Sequence, residues 1–162
     1  RVDAAFHLQR NEFRGVSTVQ LQVVDLRETL EPSQRERECL ELVGRLTSGG
    51  PVAAREAARL LPERGQFVAL WRAIERQERE ECSPAGRLPL LRRFACATGG
   101  AECFLRAALG VEVFAERGLV TLAVQDDMMI IHPRPGRRAD LEQSAYVRSL
   151  RRLLGHGERG GR

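Results

Sequence analysis

The chain has 162 residues, of which 43% are hydrophobic, 30% charged and 5% aromatic, with a formal net charge of +4. That hydrophobic share supports a modest core and excludes wholesale disorder, and no apolar run approaches the roughly 18 residues a spanning helix needs. The length allows one full domain, or one small domain plus remnants. With no initiator Met and no basic-then-apolar leader, the expectation is a soluble, cytoplasmic chain without a membrane role.

All 26 basic residues are Arg. A preference for bidentate phosphate contacts would produce this, and so would a GC-rich coding sequence favouring Arg, Ala, Gly, Leu and Val together, which is the simpler account. Charge is unevenly placed: residues 134–162 hold eight Arg against three acids, and the first 133 hold 18 Arg against 19 acids. Attraction to a polyanion is therefore expected to concentrate in the C-terminal part. The four cysteines (Cys39, Cys82, Cys96, Cys103) form no CxxC pair, and no His lies at zinc-ligand spacing from them. They are expected to be reduced and mostly buried. His7, His132 and His156 are scattered and carry no assigned chemistry.

In chain order, the first signal is FHLQRNEFRGVSTVQLQVVD, residues 6–25. Apolar residues alternate on both sides of a polar loop placed at Arg10–Gly15: Val2, Ala4, Phe6 and Leu8, then Val19, Leu21 and Val23. This is the pattern of a half-buried antiparallel hairpin. A lone hairpin is marginal in water, so the chain is expected to open inside a β-domain whose earlier strands lie elsewhere. Ser33 then caps a helix from about Gln34 to Leu46, with Glu36 in its first turn. Pro51 suits the first turn of a second helix running to about Leu61. A third helix runs from Glu63 to about Glu81, burying Phe67, Leu70, Trp71 and Ile74 and ending in the solvated run ERQEREE.

Ser83-Pro84-Ala85-Gly86 is a predicted loop. A short helix from Leu88 to Ala97 follows, then a Gly99-Gly100 break and a strongly apolar helix from Ala101 to Arg117. That helix should be central to the core, with Gly118 as its C-cap. Two short strands, Leu119–Val124 and Met128–His132, meet at Asp126-Asp127, a solvated turn on this reading. Asp140, with Gln143 three residues on, should cap a final amphipathic helix reaching Leu154. The end of the chain, GHGERGGR, is expected to be disordered. Three helices followed by a hairpin is the order of a winged-helix domain, here over residues 63–133. Such domains often place a recognition helix in the major groove. The candidate helix carries Arg106 and Arg117 against Glu102, Glu112 and Glu116, a poor groove reader.

Two passages resemble the C-terminal part of RecJ, a single-stranded-DNA-specific exonuclease family. In the first, Asn11, Glu12, Phe13 and Gly15, then Gln20, Leu21 and Asp25, are similar to the closing hairpin of the family's OB-fold. In the second, LLPERGQFVALWRAI, FLRAALGVEVFAERGLVTL and PGRRADLEQSAYVRSL resemble the C-terminal domain of its long forms, including Val113–Val120, Asp140, Leu141 and Ser144. Tyr146 sits one position early. The resemblance covers residues 1–30 and 60–154; the family's intervening α/β segment is heavily abbreviated in residues 31–62.

It implies an α+β, mainly helical chain. Residues 1–30 would be the OB-fold remnant, 31–62 a helical connector, 63–154 a winged-helix-like domain with its terminal helix, and 155–162 a tail. It further implies a C-terminal accessory fragment of a 5′–3′ exonuclease of DNA repair and recombination. The family's Mn²⁺ or Mg²⁺ ions are held by Asp/His motifs, including Asp-His-His, in its N-terminal domains. This chain has no His-His pair, so no cofactor, no catalytic residue and no nuclease activity are expected of it alone. Expected partners are single-stranded DNA, the catalytic domains of the same protein, and a single-strand-binding protein. OB-folds hold single strands by a basic groove and stacking aromatics, which marks Arg10, Phe13 and Arg14, with Arg137 and Arg138 from the basic C-terminal part. A protein-interaction module and a stand-alone winged-helix DNA-binding protein are the alternatives.

Overall fold

The structure is a computed structural model that describes residues 2–13, 15–28, 31–79, 85–125, 128–134 and 136–157. It is mixed α and β with helix predominant, and it divides into two units, Arg1–Glu31 and Pro32–Arg162.

The first unit is one hairpin of β1 (Val2–Phe13) and β2 (Val16–Glu28), with Phe13 opposite Val16. The expected loop over residues 10–15 is therefore shorter. Residues 10–13 continue the ladder, and only positions 14 and 15 connect the strands. Gly15 has φ +77° with open space around it, the left-handed backbone that a two-residue hairpin turn favours. Phe6 lies opposite Val23, and Leu8 opposite Leu21. Because side chains alternate along a strand, Phe6, Leu8, Arg10, Val19, Leu21 and Val23 share one face. His7, Gln9, Asn11, Thr18, Gln20 and Gln22 share the other. A bulge at Ala5/Phe6 leaves Val24 out of register, the extra residue of an irregular ladder.

The second unit begins with α1 (Gln34–Thr47), α2 (Ala54–Leu60) and α3 (Arg64–Arg79). It continues with β3 (Ala85–Gly86), α4 (Arg87–Thr98), α5 (Cys103–Glu116), β4 (Val120–Gln125) and β5 (Met128–Pro133). Ser33 starts α1 with a capping box: its Oγ accepts from the Glu36 amide, and the Glu36 carboxylate accepts from the Ser33 amide at 2.7 Å. Pro51 precedes α2 instead of sitting in its first turn. The Glu56 side chain accepts from the Ala53 amide at 2.9 Å and begins that helix at Ala54.

The most apolar segment, α5, is the centre of the core. Leu105, Ala107, Leu109 and Val113 are fully buried, and α1, α2, α3 and α4 all pack on it. Gly110 lets α3 come close: a Cβ there would stand 2.4 Å from Leu70 Cδ2. Gly110→Val is therefore expected to cost about 1–3 kcal/mol through overpacking, read as a lower thermal midpoint by circular dichroism. An unchanged midpoint would contradict this packing.

Residues 85 and 86, expected in a loop, form a two-residue strand. Ala85 pairs with Met129 and Gly86 with Met128, giving a sheet in the order β3-β5-β4. Nothing in Ala-Gly announces a strand; pairing with β5 creates it. After α5 the Gly118 amide bonds Ala115 O and the Leu119 amide bonds Phe114 O. This Schellman turn brings Leu119 back onto Phe114.

Asp140 caps only a single 3-10 turn, Leu141–Gln143, its Oδ1 accepting from the Glu142 amide. The long helix, α6 (Ala145–Gly157), starts later. Its N-terminus is capped from α5, where the Glu116 carboxylate accepts from the Ala145 amide at 2.7 Å and from the Ser144 hydroxyl. Ser144 is fully buried, as is Leu150 on the inner face of α6. Among the cysteines, Cys39 is buried, Cys103 half-buried and Cys96 exposed, so the expectation of mostly buried thiols is corrected at Cys96. Position 96 falls on the outer side of α4. Cys82, the Ser83-Pro84 half of the loop, the Asp126-Asp127 turn and residues 158–162 lie outside the described residues.

Candidate nucleic-acid interface

Two surfaces hold the basic and aromatic residues singled out in the sequence. On the hairpin, Arg10 sits in a strand, at the turn end of the apolar face, opposite Val19. Its Nε donates to Ser17 Oγ at 2.7 Å. The backbone of Phe13 closes the ladder against Val16, while its side chain and Arg14 lie outside the described residues. The other face carries an amide-rich surface in which Gln9 Nε2 donates to Gln22 Oε1 at 2.9 Å.

The apolar face of the hairpin is open. Val19 is 73% exposed and Leu8 68%, and Phe6, Leu21 and Val23 are each more than half exposed. Covering such side chains would yield about 1.5–3 kcal/mol each.

The second surface is a groove of about 1260 Å³ in the helical unit, between α3, the loop 136–141 and α6. Its floor is Phe67, Trp71, Phe114, Leu119 and Val147. The Trp71 and Phe114 rings meet edge to face at 5.7 Å and 87°, and Phe67 lies 5.8 Å from Phe114. These contacts fix Trp71 while leaving it only partly buried.

Arg64 and Arg72 rise from α3, two turns apart, and Arg137 and Arg138 face them from the loop. All four are exposed, and no hydrogen bond or ion pair engages any of their side chains among the described residues. The sequence marked Arg137 and Arg138 by charge density alone; it missed Arg64 and Arg72, and helical spacing placed Trp71 in a buried stripe, where the structure leaves it only partly buried. Gly118, at φ +65°, has no side chain to obstruct Arg137, whose guanidinium carbon lies 3.6 Å from where a Cβ would stand.

The acids of the same groove are mostly engaged. Glu142 pairs with Arg151 at 2.6 Å, Asp140 caps the 3-10 turn, and Glu63 meets Arg106 at 3.5 Å. Glu75 is the acid of this lining for which no bond is found among the described residues.

The helix that would have to read a duplex is not available to do so. The flank of α5 is covered by α1 and α2, and Arg106 is turned inward to Arg59 O and Gln66 Oε1 at 3.1 Å each. At its start, Glu102 adopts φ 57° and takes a two-toothed bond from Arg59, both contacts at 3.1 Å. Arg59 holds the Glu102 carboxyl below its usual range, so this residue is a structural anion. Burial pushes the Cys39 thiol up, which keeps it protonated and unreactive.

Among the described residues, no three His, Cys, Asp or Glu side chains converge as metal ligands. The donor set for two-metal phosphodiester cleavage, ions about 3.5–4 Å apart, is not found among them. No helix among them is long and apolar enough to cross a membrane. Comparison with protein-family models, with curated proteins and with solved structures finds no match for this chain.

Proposed function

We propose that the chain is the C-terminal accessory part of a RecJ-type single-stranded-DNA exonuclease, contributing strand holding and partner contacts without cutting. The observation that carries this reading is the open apolar face of the hairpin, Phe6, Leu8, Val19, Leu21 and Val23. In an OB-fold that face closes against the other strands of a small barrel, so the hairpin fits the closing pair of such a barrel. The helical unit fits a winged helix. Its helix–strand–helix–helix–strand–strand order and β3-β5-β4 sheet place the first short strand beside the last one. The burial of α5 favours a packing module over a duplex reader.

On this reading the Mn²⁺ or Mg²⁺ ions belong to the catalytic domains of the same protein. Those domains, single-stranded DNA and a single-strand-binding protein are its partners, in the cytoplasm. A stand-alone winged-helix regulator fits poorly, because the side chains that would read bases are buried or bonded. An interaction module remains the second reading, favoured by the apolar floor of the groove.

Strand preference tests the proposal. A fluorescently labelled oligothymidylate should bind at least ten times tighter than a duplex of the same length, and neither Mn²⁺ nor Mg²⁺ should cause degradation. Equal or tighter binding to duplex would overturn the reading. Cleavage would overturn the claim that this part does not cut.

A further inference from the structure

We infer that the groove between α3 and the loop 136–141 is itself a site for single-stranded nucleic acid, with Trp71 as the stacking platform; this rests on the proposed function and gives it a location. Four guanidiniums for which no partner is found among the described residues line the groove, Arg64 and Arg72 from α3 and Arg137 and Arg138 from the loop. A guanidinium offers five donors and no acceptor. The ligand that satisfies four of them must bring acceptors at spaced positions along the groove. Between the walls lies an apolar floor with one fixed, partly open aromatic ring, Trp71.

Phosphates alternating with flat apolar bases match that alternation of charge and ring. An extended peptide matches it less well. Its backbone carries as many N–H donors as acceptors, and each needs a partner when covered, whereas the acids here are engaged except Glu75. The groove is also lined by helix and loop residues, with no strand edge for a peptide to extend. Its volume of about 1260 Å³ leaves room for more than one nucleotide.

Trp71 is the single tryptophan of the chain, so intrinsic emission reports on this groove alone. Titration with a twelve-residue oligothymidylate should quench it, with the same midpoint as the anisotropy of labelled oligonucleotide. Each phosphate neutralised contributes about −0.7 to the slope of log K against log salt on single strands. The double variant R72A/R138A, both positions exposed, should therefore flatten that slope by about 1.4 while leaving the melting temperature unchanged. Trp71→Ala should weaken binding about tenfold or more. Trp71→Phe, which keeps a ring against Phe114, should recover part of that loss and separates stacking from a folding defect.

If anisotropy reports binding while Trp71 emission and the double variant stay silent, this inference is overturned and the proposed function stands on the hairpin. If no oligonucleotide binds at all, both fall. If an acidic amphipathic peptide quenches Trp71 and oligothymidylate does not displace it, the groove is a protein-docking site and the inference is wrong.

Discussion

Phe114→Ala is expected to lower the stability of the helical unit by about 3–5 kcal/mol, the range for truncating a buried phenylalanine. Phe114 is 2% exposed and sits where three structural lines meet. It closes α5, receives Leu119 across the Schellman turn, and holds Phe67 and Trp71 by ring contacts at 5.8 and 5.7 Å. Removing it empties the centre of the groove floor as well as the core. Urea unfolding followed by circular dichroism gives the loss directly. Trp71 emission in the folded variant should also shift towards the red, because the ring loses its edge-to-face partner. A midpoint within experimental error of wild type would mean that α5 is not the core helix described.

The second large effect concerns acid. Arg92 of α4 grips Glu36 of α1 with Nε and Nη2, at 2.7 and 3.1 Å, and both side chains are largely buried. The Arg92 hydrogen bond, opposed by burial and helped by the Ser33 amide and hydroxyl, brings the Glu36 carboxyl from 4.5 down to about 2. A carboxyl whose folded value is depressed stabilises the fold above its unfolded value and loses that stability as pH falls towards the folded value. The window is therefore pH 4.5 down to about 2, and the stabilisation lost across it is on the order of 3 kcal/mol.

Glu36→Gln should remove most of this acid sensitivity while lowering stability at neutral pH, since Arg92 loses its two-toothed bond to the Glu36 carboxylate in a site largely closed to water. It also weakens the capping box of α1, because the neutral amide binds the Ser33 amide less strongly. Unfolding curves at pH 7, 4 and 3 for both proteins check this. Parallel acid dependence in the two would show that another group carries it.

Much of the fold was written in periodicity. The alternation around Phe6 and Val23 called for a hairpin, and the spacing of Phe67, Leu70, Trp71 and Ile74 called for a buried helical stripe, of which all but Trp71 are buried. Gly118 and Ser33 marked helix ends by chemistry that acts within a few residues. The failures share a cause, which is that partners distant in sequence decide them. Residues 10–13 have no apolar alternation, yet a two-residue turn at Gly15 keeps them in register. Ala85-Gly86 becomes a strand because β5 offers an edge. Asp140 looked like the cap of the last helix, but Glu116, 29 residues upstream of Ala145, supplies that cap.

The candidate site was legible only in part for the same reason. Arg137 and Arg138 stood out in a basic stretch, whereas Arg64, Arg72 and Trp71 join them only once the fold brings α3 and the loop 136–141 to one groove. Arg10, expected in a loop, is instead a strand residue bonded to Ser17. The packing also removes a tempting experiment. Truncating residues 134–162 would delete Val147 and Leu150, which are buried at 1% and 0%, so exposed point substitutions are the cleaner probe of the basic region.

The most direct test of strand holding is the salt dependence of oligothymidylate binding to the intact chain, measured by anisotropy at several salt concentrations. With three or four phosphates neutralised, log K should fall linearly with log salt, with a slope between about −2 and −3. A slope of zero, or no binding at low salt, would contradict the account.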